Sequence, residues 1–184
     1  GLLAWFALAD IHEAIGQSAS GSPGNLLVFT SAEIARILPF GPWPVAWTPD
    51  PSNRVSGKPE AIALGRALFF DPRLSGTGTV ACATCHVPVR LFTDGRARGV
   101  GFVELDRNTP SLVNVRLNRW FGWDGAADSL WSQSLRPILD QREMRADPSH
   151  VGTLLRGDAA LAAAYEKAFG ERPVNDDTAT VNVA

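Results

Sequence analysis

The chain has only two cysteines, and they stand three residues apart with a histidine directly after the second. This run, Cys82-Ala83-Thr84-Cys85-His86, has the Cys-x-x-Cys-His spacing at which proteins attach a c-type haem. On one helical turn, two thiols can reach the two vinyl groups of a porphyrin and form thioethers, while the histidine offers an imidazole to the iron. We therefore predict covalent haem c, bound through Cys82 and Cys85, with His86 as the proximal iron ligand.

Two other kinds of site use paired cysteines. A structural zinc site needs four nitrogen or sulphur ligands, but the cysteine pair does not recur and the remaining histidines, His12 and His150, are isolated. A thioredoxin-type redox pair belongs to a βαβ unit, and the sequence shows no alternation of strands and helices. Haem attachment is therefore the favoured interpretation.

Length and charge limit what the chain can be. With 184 residues, 45% of them hydrophobic, it can bury the core of one domain, or of one and a part. The net charge of −2 offers no attraction for polyanions, so we do not expect a nucleic-acid partner. No apolar run reaches the roughly 20 residues that a membrane-spanning helix needs.

The two ends of the chain are unusual. Residues 1–9 are apolar and finish in Ala7-Leu8-Ala9, which is typical of the end of a secretory signal. An amphipathic first helix running to about Ile15 is the alternative, and both interpretations stay open. Residues 176–184 have the pattern of a helix start, so we expect them to begin a truncated following segment. Because Cys-x-x-Cys-His families are matured outside the cytoplasm, we predict a periplasmic location.

Helical spacing dominates the rest of the sequence, so we predict an all-α haem domain with a long Pro-rich N-terminal arm. Residues 1–58 would hold N-terminal helices and the arm, which has six prolines between residues 39 and 59, and residues 59–175 would form the haem domain. We predict a first helix that opens with a capping box at 30–33 and is ended by Pro39. Further helices are predicted over 60–70, at the haem motif, over 108–118 and over 128–139. Of the last three, one is capped by Asp147, one runs from Asp158 to Gly170, and one begins at 176.

Several further motifs stand in order around the haem box. They are Leu64-Gly65-Arg66-Ala67-Leu68-Phe69-Phe70-Asp71-Pro72-Arg73-Leu74-Ser75, Arg107-Asn108-Thr109-Pro110-Ser111-Leu112, Trp123-Asp124-Gly125 and Arg142-Glu143-Met144. From about Ala61 to Phe169 the chain thereby resembles the bacterial dihaem cytochrome c peroxidases and their MauG-type relatives, in their N-terminal, peroxidatic haem domain. The resemblance implies a cytochrome c-like fold and an oxidoreductase that reduces hydrogen peroxide to water, with electrons from a small cytochrome c or a cupredoxin.

The resemblance also assigns roles to side chains. Glu143 matches the distal carboxylate that acts as acid and base on peroxide, and Gln133 and Pro137 match residues that line the same pocket. Trp123 matches the tryptophan between the two haems and would conduct electrons, and Asn108 matches a calcium ligand between the haem domains. Taken alone, the residues allow simpler interpretations: a solvated helix-end charge for Glu143, core packing for Trp123 and a helix N-cap for Asn108.

The chain departs from the family pattern at three places. Many of the peroxidases have a histidine that binds the far side of the iron, but no histidine lies between Val87 and Arg107, so we expect a five-coordinate haem. Ala126 stands where the family commonly has an arginine after Trp-Asp-Gly. No second Cys-x-x-Cys-His occurs, so we expect the second haem in a missing domain or on a partner chain.

Three functions therefore remain candidates. The leading prediction is a periplasmic cytochrome c peroxidase. The second is a MauG-like, peroxide-dependent oxidation of residues on a partner protein, which the missing histidine favours. The third is electron transfer by a monohaem cytochrome, which would need a sixth iron ligand that the sequence does not offer. A second copy of the chain, in a homodimer, is a further candidate partner.

Overall fold

A computed structural model describes residues 28–41 and 45–184 of the chain, which divides into two compact units after Trp47. In the first unit, helix α1 (Ser31–Ile37) begins at the predicted capping box. The Thr30 hydroxyl accepts the Glu33 N–H, and the Glu33 carboxylate accepts the Thr30 N–H. A 3₁₀ turn over Leu38–Phe40 follows directly. The alternatives for residues 1–15 lie outside the described residues.

The second unit, residues 48–184, is helical. Its helices are α2 (Pro59–Phe69), α3 (Cys82–Cys85), α4 (Leu130–Leu139), α5 (Pro148–Gly157), α6 (Ala159–Phe169) and α7 (Asp176–Val183). Short 3₁₀ turns cover Pro72–Leu74, Pro88–Arg90 and Val115–Leu117. The described residues contain only isolated β-bridges and no strand, so the all-α prediction is confirmed. Within the same residues, every helix is too short or too polar to cross a lipid bilayer.

Local capping chemistry sets the helix ends. Asp147 accepts the N–H of His150 at the start of α5, and Asp158 accepts two N–H groups at the start of α6. Gly170 ends α6 in the left-handed conformation, with φ of 78°. These three positions were predicted from the sequence and are confirmed.

The core lies where α2, α5, α6 and α7 pack together. Leu155 and Val151 of α5 are fully buried, and Tyr165 of α6 is 1% exposed with its ring beside that of Phe169. Cys82 packs against the edge of this core. The core therefore supports the first residue of the haem motif directly.

The second half of the proline-rich arm lies on the helices. Ser52 accepts a hydrogen bond from the Trp131 indole of α4, and the Arg54 guanidinium lies over the Phe169 ring at 5.3 Å. Arg54 also pairs with Glu171 at 2.9 Å. Residues 48–58 are thereby fixed on the helical unit by specific polar contacts.

The helix predicted over residues 108–118 is wrong. Residues 108–114 are irregular, and only the 3₁₀ turn over Val115–Leu117 follows. Pro110 has no N–H to donate and pushes the residue before it out of the helical region. Asn114 then takes the left-handed conformation, with φ of 56°, so the backbone cannot propagate a helix. Asn108 is consequently not a helix N-cap.

Several large apolar side chains are exposed. Trp120 is 56% exposed and Trp47 is 54% exposed. Leu130, at the start of α4, is also exposed, whereas Ile138, which helical spacing places on the same face, is buried. Helical spacing predicts which residues share a face, but Leu130 lies at the helix end, beyond the edge of the core.

Leu155→Ala should reduce the free energy of unfolding by about 2–5 kcal/mol, because it leaves a cavity in a fully buried site. Urea unfolding of the haem-loaded chain measures the change. Leu117→Ala is the matched control, since Leu117 is 39% exposed and its truncation should cost less than about 0.5 kcal/mol. Equal losses for the two variants would contradict the placement of the core.

Candidate functional site

The haem motif occupies a single helical turn that is fixed from its N-terminal side. The Ser75 hydroxyl, which is fully buried, accepts the N–H groups of Thr79 and Val80 and donates to the Pro72 carbonyl. Thr84 then accepts the N–H of Ala81 and closes the turn. The segment that leads into the motif is therefore held by its own hydrogen bonds.

The two thiols are reduced and half-buried. Burial raises the pKa of the Cys82 thiol to about 11. Burial also raises the pKa of Cys85, and the carboxylates of Asp94 and Glu143 act in the same direction. Burial therefore favours the neutral S–H form of both groups over the thiolate.

His86 has a fixed orientation. Its Nδ1 lies 3.0 Å from the Phe92 carbonyl oxygen, so Nδ1 donates the hydrogen bond and Nε2 keeps its lone pair for a metal. Leu91 and Phe92 reach this position through left-handed conformations, with φ of 55° and 57°. Such backbone costs about 1–3 kcal/mol per non-glycine residue. The Ser111 hydroxyl donates to the Leu91 carbonyl and holds the turn in place.

A cavity of about 300 Å³ opens beside His86 and Cys85. It brings together all but one of the residues that the sequence singled out; these are Cys85, His86, Asn108, Trp123, Gln133, Pro137 and Glu143. Cys82 does not line it, because its side chain faces the helical core. Residues of the haem motif and the carboxylate of Glu143 thus line the same cavity.

One face of α4 forms a wall of this cavity. Gln133, Arg136 and Pro137 line it at the three- and four-residue spacing of a helix face, and Asp140 lines it directly after the helix ends. Gln133 Oε1 is buried and has no hydrogen-bond partner, so it can accept from a bound group. We did not predict Arg136 or Asp140 as site residues, although their spacing from Gln133 was a usable signal.

Asn108 and Trp123 meet at the cavity through a backbone contact. The Trp123 indole N–H donates to the Asn108 carbonyl at 2.8 Å, while the indole itself is 56% exposed. Core packing is therefore the wrong interpretation of Trp123. Among residues 28–41 and 45–184, no three His, Cys, Asp or Glu side chains cluster as metal ligands would. Calcium at Asn108 stays a prediction.

Glu143 lies half-buried in the cavity wall, so a solvated surface charge is the wrong interpretation of it. Burial raises the pKa of its carboxyl above that of an ordinary glutamate, and the charge of Asp140 raises it further. Arg142 and Arg136 act in the opposite direction. Arg142 is shared between Asp140 and Asp106. Desolvation is therefore the dominant effect.

The residues at the cavity fit a c-type haem. Two free cysteines flank one turn, His86 offers Nε2, and the unpartnered amide oxygen of Gln133 belongs to a residue of the same cavity lining. The cavity lies directly against the motif. The chemistry of the donor set therefore suits a c-type haem.

Comparison with known proteins gives the same assignment. The profile of the family described as "Di-haem cytochrome c peroxidase" matches residues 59–184. The methylamine utilization protein MauG of Methylorubrum extorquens is 44% identical over 129 residues, which is 68% of this chain and 36% of that protein. The cytochrome c551 peroxidase of Pseudomonas aeruginosa is 33% identical over 139 residues, covering 70% of this chain and 39% of that protein. The chain thus spans less than two fifths of the length of either relative.

Solved structures are similar too. A MauG-like protein associated with microbial copper homeostasis superposes with a TM-score of 0.65 at 30% identity, over 78% of this chain and 45% of that chain. The diheme peroxidase BthA of Burkholderia thailandensis superposes with a TM-score of 0.61 at 27% identity, over 76% of this chain and 38% of that chain. The haem motif, the shared cavity and these similarities lead to one conclusion: the chain belongs to the di-haem cytochrome c peroxidase family.

Proposed function

We propose that this chain is the peroxidatic haem domain of a periplasmic enzyme that reduces hydrogen peroxide to water. The electrons would come from a small cytochrome c or a cupredoxin. The proposal rests on the observation that His86, Cys85, Glu143 and Gln133 all line one cavity. A second haem, calcium and a homodimer remain predictions that accompany this function.

Cys82 and Cys85 would hold the haem covalently and His86 would bind its iron. Each S–H adds across one vinyl C=C bond, so that a C–S bond forms and the hydrogen passes to the neighbouring carbon. When bound, the haem supplies a redox-active iron that takes oxidising equivalents from peroxide.

Glu143 would move the proton that the reaction requires. Its carboxylate would take a proton from one oxygen of hydrogen peroxide and deliver it to the other, so that this second oxygen could leave as water. A haem held by Cys82, Cys85 and His86 would supply the redox chemistry for the remaining oxygen. Two electrons and two further protons complete the reduction to two water molecules. The raised pKa of Glu143 suits this role, because a carboxyl that holds its proton at higher pH can also donate it.

The neighbouring residues would orient the substrate and carry electrons. Gln133 offers Oε1 as an acceptor to peroxide, and Pro137 adds an apolar surface to the same wall. Trp123 is exposed and tied by its indole N–H to the backbone at Asn108, so an electron could enter the site through it from outside.

Glu143→Gln should reduce peroxide turnover by about 100-fold or more, because the amide cannot exchange a proton with peroxide. The haem content, read from the Soret band of the purified chain, should not change. The acidic limb of the pH–rate profile should also disappear in this variant. Glu60→Gln is the control, since Glu60 is exposed at the start of α2. Wild-type turnover in Glu143→Gln would remove Glu143 from the mechanism.

The ferric haem should be five-coordinate and high-spin at neutral pH. The cavity lining contains no methionine and no histidine other than His86, and Met144 is 3% exposed within the core cluster. Electronic absorption and electron paramagnetic resonance spectra of the haem-loaded chain measure the spin state. A low-spin spectrum with two strong axial ligands would instead support the monohaem electron-transfer function.

Oxidation of a partner protein is a second candidate function. It is favoured by the 44% identity to a MauG protein and by the absence of a histidine between residues 87 and 107. The exposed Trp123 offers a route by which a partner at the surface could lose electrons.

If this second function is correct, peroxide should change the mass of a protein that co-purifies with the haem-loaded chain. Intact-mass spectrometry before and after peroxide detects such a change, and a gene for a secreted protein beside this gene would name the partner. The same sample with Glu143→Gln is the control. An unchanged partner, together with rapid peroxide consumption from a small redox donor, would favour the peroxidase.

A further inference from the structure

We propose that residues 101–103 form a latch that positions Glu143, and that Gly101 is a positioning residue for its proton transfer. The inference rests on the proposed function of Glu143 and goes beyond it, because it assigns a role to backbone outside the cavity lining. The latch belongs to the irregular segment after His86.

Two consecutive hydrogen bonds join the latch to the Glu143 segment. The Phe102 N–H donates to the Glu143 carbonyl at 2.9 Å, and the Val103 N–H donates to the Arg142 carbonyl at 3.0 Å. Neighbouring donors thus bind neighbouring acceptors. A pair of this kind fixes the direction of the backbone as well as its distance, and with it the Cα–Cβ bond from which the Glu143 side chain extends.

Gly101 allows these bonds to form. A Cβ at this position would lie 2.6 Å from the Glu143 Cα and 2.9 Å from the Arg142 carbonyl oxygen. Both neighbours are backbone atoms, which cannot rotate away as the end of a side chain can. Glycine is therefore required here because a side chain would not fit, and not because the backbone takes an unusual conformation.

The Glu143 segment is also held from other directions. The Gly76 N–H donates to the Met144 carbonyl at 2.9 Å, so the loop before the haem motif is attached to the residue after Glu143. The Met144 N–H donates to the Pro137 carbonyl at 3.0 Å. Arg145 lies over the Phe102 ring, 4.5 Å from its centroid. These contacts fix the backbone of residues 142–145, and the latch adds the bonds to the carbonyls of Arg142 and Glu143.

The latch is itself closed by local bonds. The Gly99 N–H donates to the Arg107 carbonyl and the Leu105 N–H donates to the Gly99 carbonyl, both at 2.8 Å. Gly101 N–H donates in turn to the Val103 carbonyl at 3.1 Å. The segment therefore acts as a firm support for Glu143 and not as a loose loop beside it.

The test compares Gly101→Ala with Gly65→Ala in the haem-loaded full chain. Gly65 lies in α2 and an added Cβ there meets nothing within 4 Å, so its variant should keep wild-type turnover. Gly101→Ala should lower kcat for peroxide by about 10- to 100-fold, because a displacement near 1 Å suffices for such a loss. The haem content should stay unchanged. Hydrogen exchange should speed up at the amides of Phe102 and Val103 and not in α2.

A double-mutant cycle with Glu143→Gln separates positioning from a general structural role. If Gly101 acts through Glu143, Gly101→Ala should cause no further loss of turnover in the Glu143→Gln background. An equal loss in both backgrounds overturns the latch, and so does wild-type turnover in Gly101→Ala despite faster exchange at Phe102. Wild-type turnover in Glu143→Gln alone is a different result, the failure of the proposed function.

Phe102 provides a second test if Gly101→Ala does not accumulate. Phe102 is 44% exposed, so its truncation should leave the fold intact. Phe102→Ala removes the ring beneath Arg145 and should lower turnover less than Gly101→Ala does, while Phe102→Tyr keeps the ring and should restore it. Equal turnover in all three proteins, wild type included, overturns the latch.

Discussion

The backbone hydrogen bonds around residues 142–144 hold the two sides of the site together. Regular helices supply the core, but His86 and Glu143 both lie outside long helices, in segments with little regular structure. The backbone bonds from Gly76, Phe102 and Val103 attach the neighbouring loops to the Glu143 segment, and the Arg145 guanidinium over the Phe102 ring adds a side-chain contact. Because the acceptors are carbonyls of the Glu143 segment itself, the position of the carboxylate depends on the fit of three separate stretches of backbone.

The proximal side is ordered by a different means, which is strained backbone. Leu91 and Phe92 take left-handed conformations that together cost about 2–6 kcal/mol, and the Leu91 side chain gains little there because it is 71% exposed. These conformations place the Phe92 carbonyl at Nδ1 of His86, where it accepts a hydrogen bond. Packing of the Phe92 ring on Phe69, with centroids 6.2 Å apart, and the Ser111 hydrogen bond offset the strain. The strained backbone therefore lies at the turn that fixes the orientation of the His86 ring.

Features that depend on interactions between residues close in sequence could be predicted, and features that depend on backbone conformation or on distant segments could not. Caps such as Asp147 and Asp158 act on N–H groups two or three residues away, so their helices were predictable from local sequence. The helix expected after Asn108 was wrong because Asn114 takes the left-handed conformation, which local sequence did not indicate and which stops a helix from propagating. The Phe92 carbonyl meets the His86 side chain from only six residues away, through a left-handed turn. The Phe102 and Val103 N–H groups reach the Glu143 segment from about 40 residues away in the sequence. Family motifs located the side chains of the site, but the way they are supported could only come from the structure.

The charges around the cavity explain why burial controls Glu143. Arg142 is the nearest cation in sequence, yet its guanidinium is already bound to Asp140 and to Asp106, 3.2 and 3.0 Å away. Arg136 pairs at 3.4 Å with Asp124, the acidic residue of the Trp-Asp-Gly motif. Arg142 and Arg136 are thus each opposed by a carboxylate, and together they lower the pKa of Glu143 less than burial raises it. A bound porphyrin would exclude more water from the same wall, so the desolvation that raises the pKa of this carboxyl should increase when the cofactor occupies the cavity.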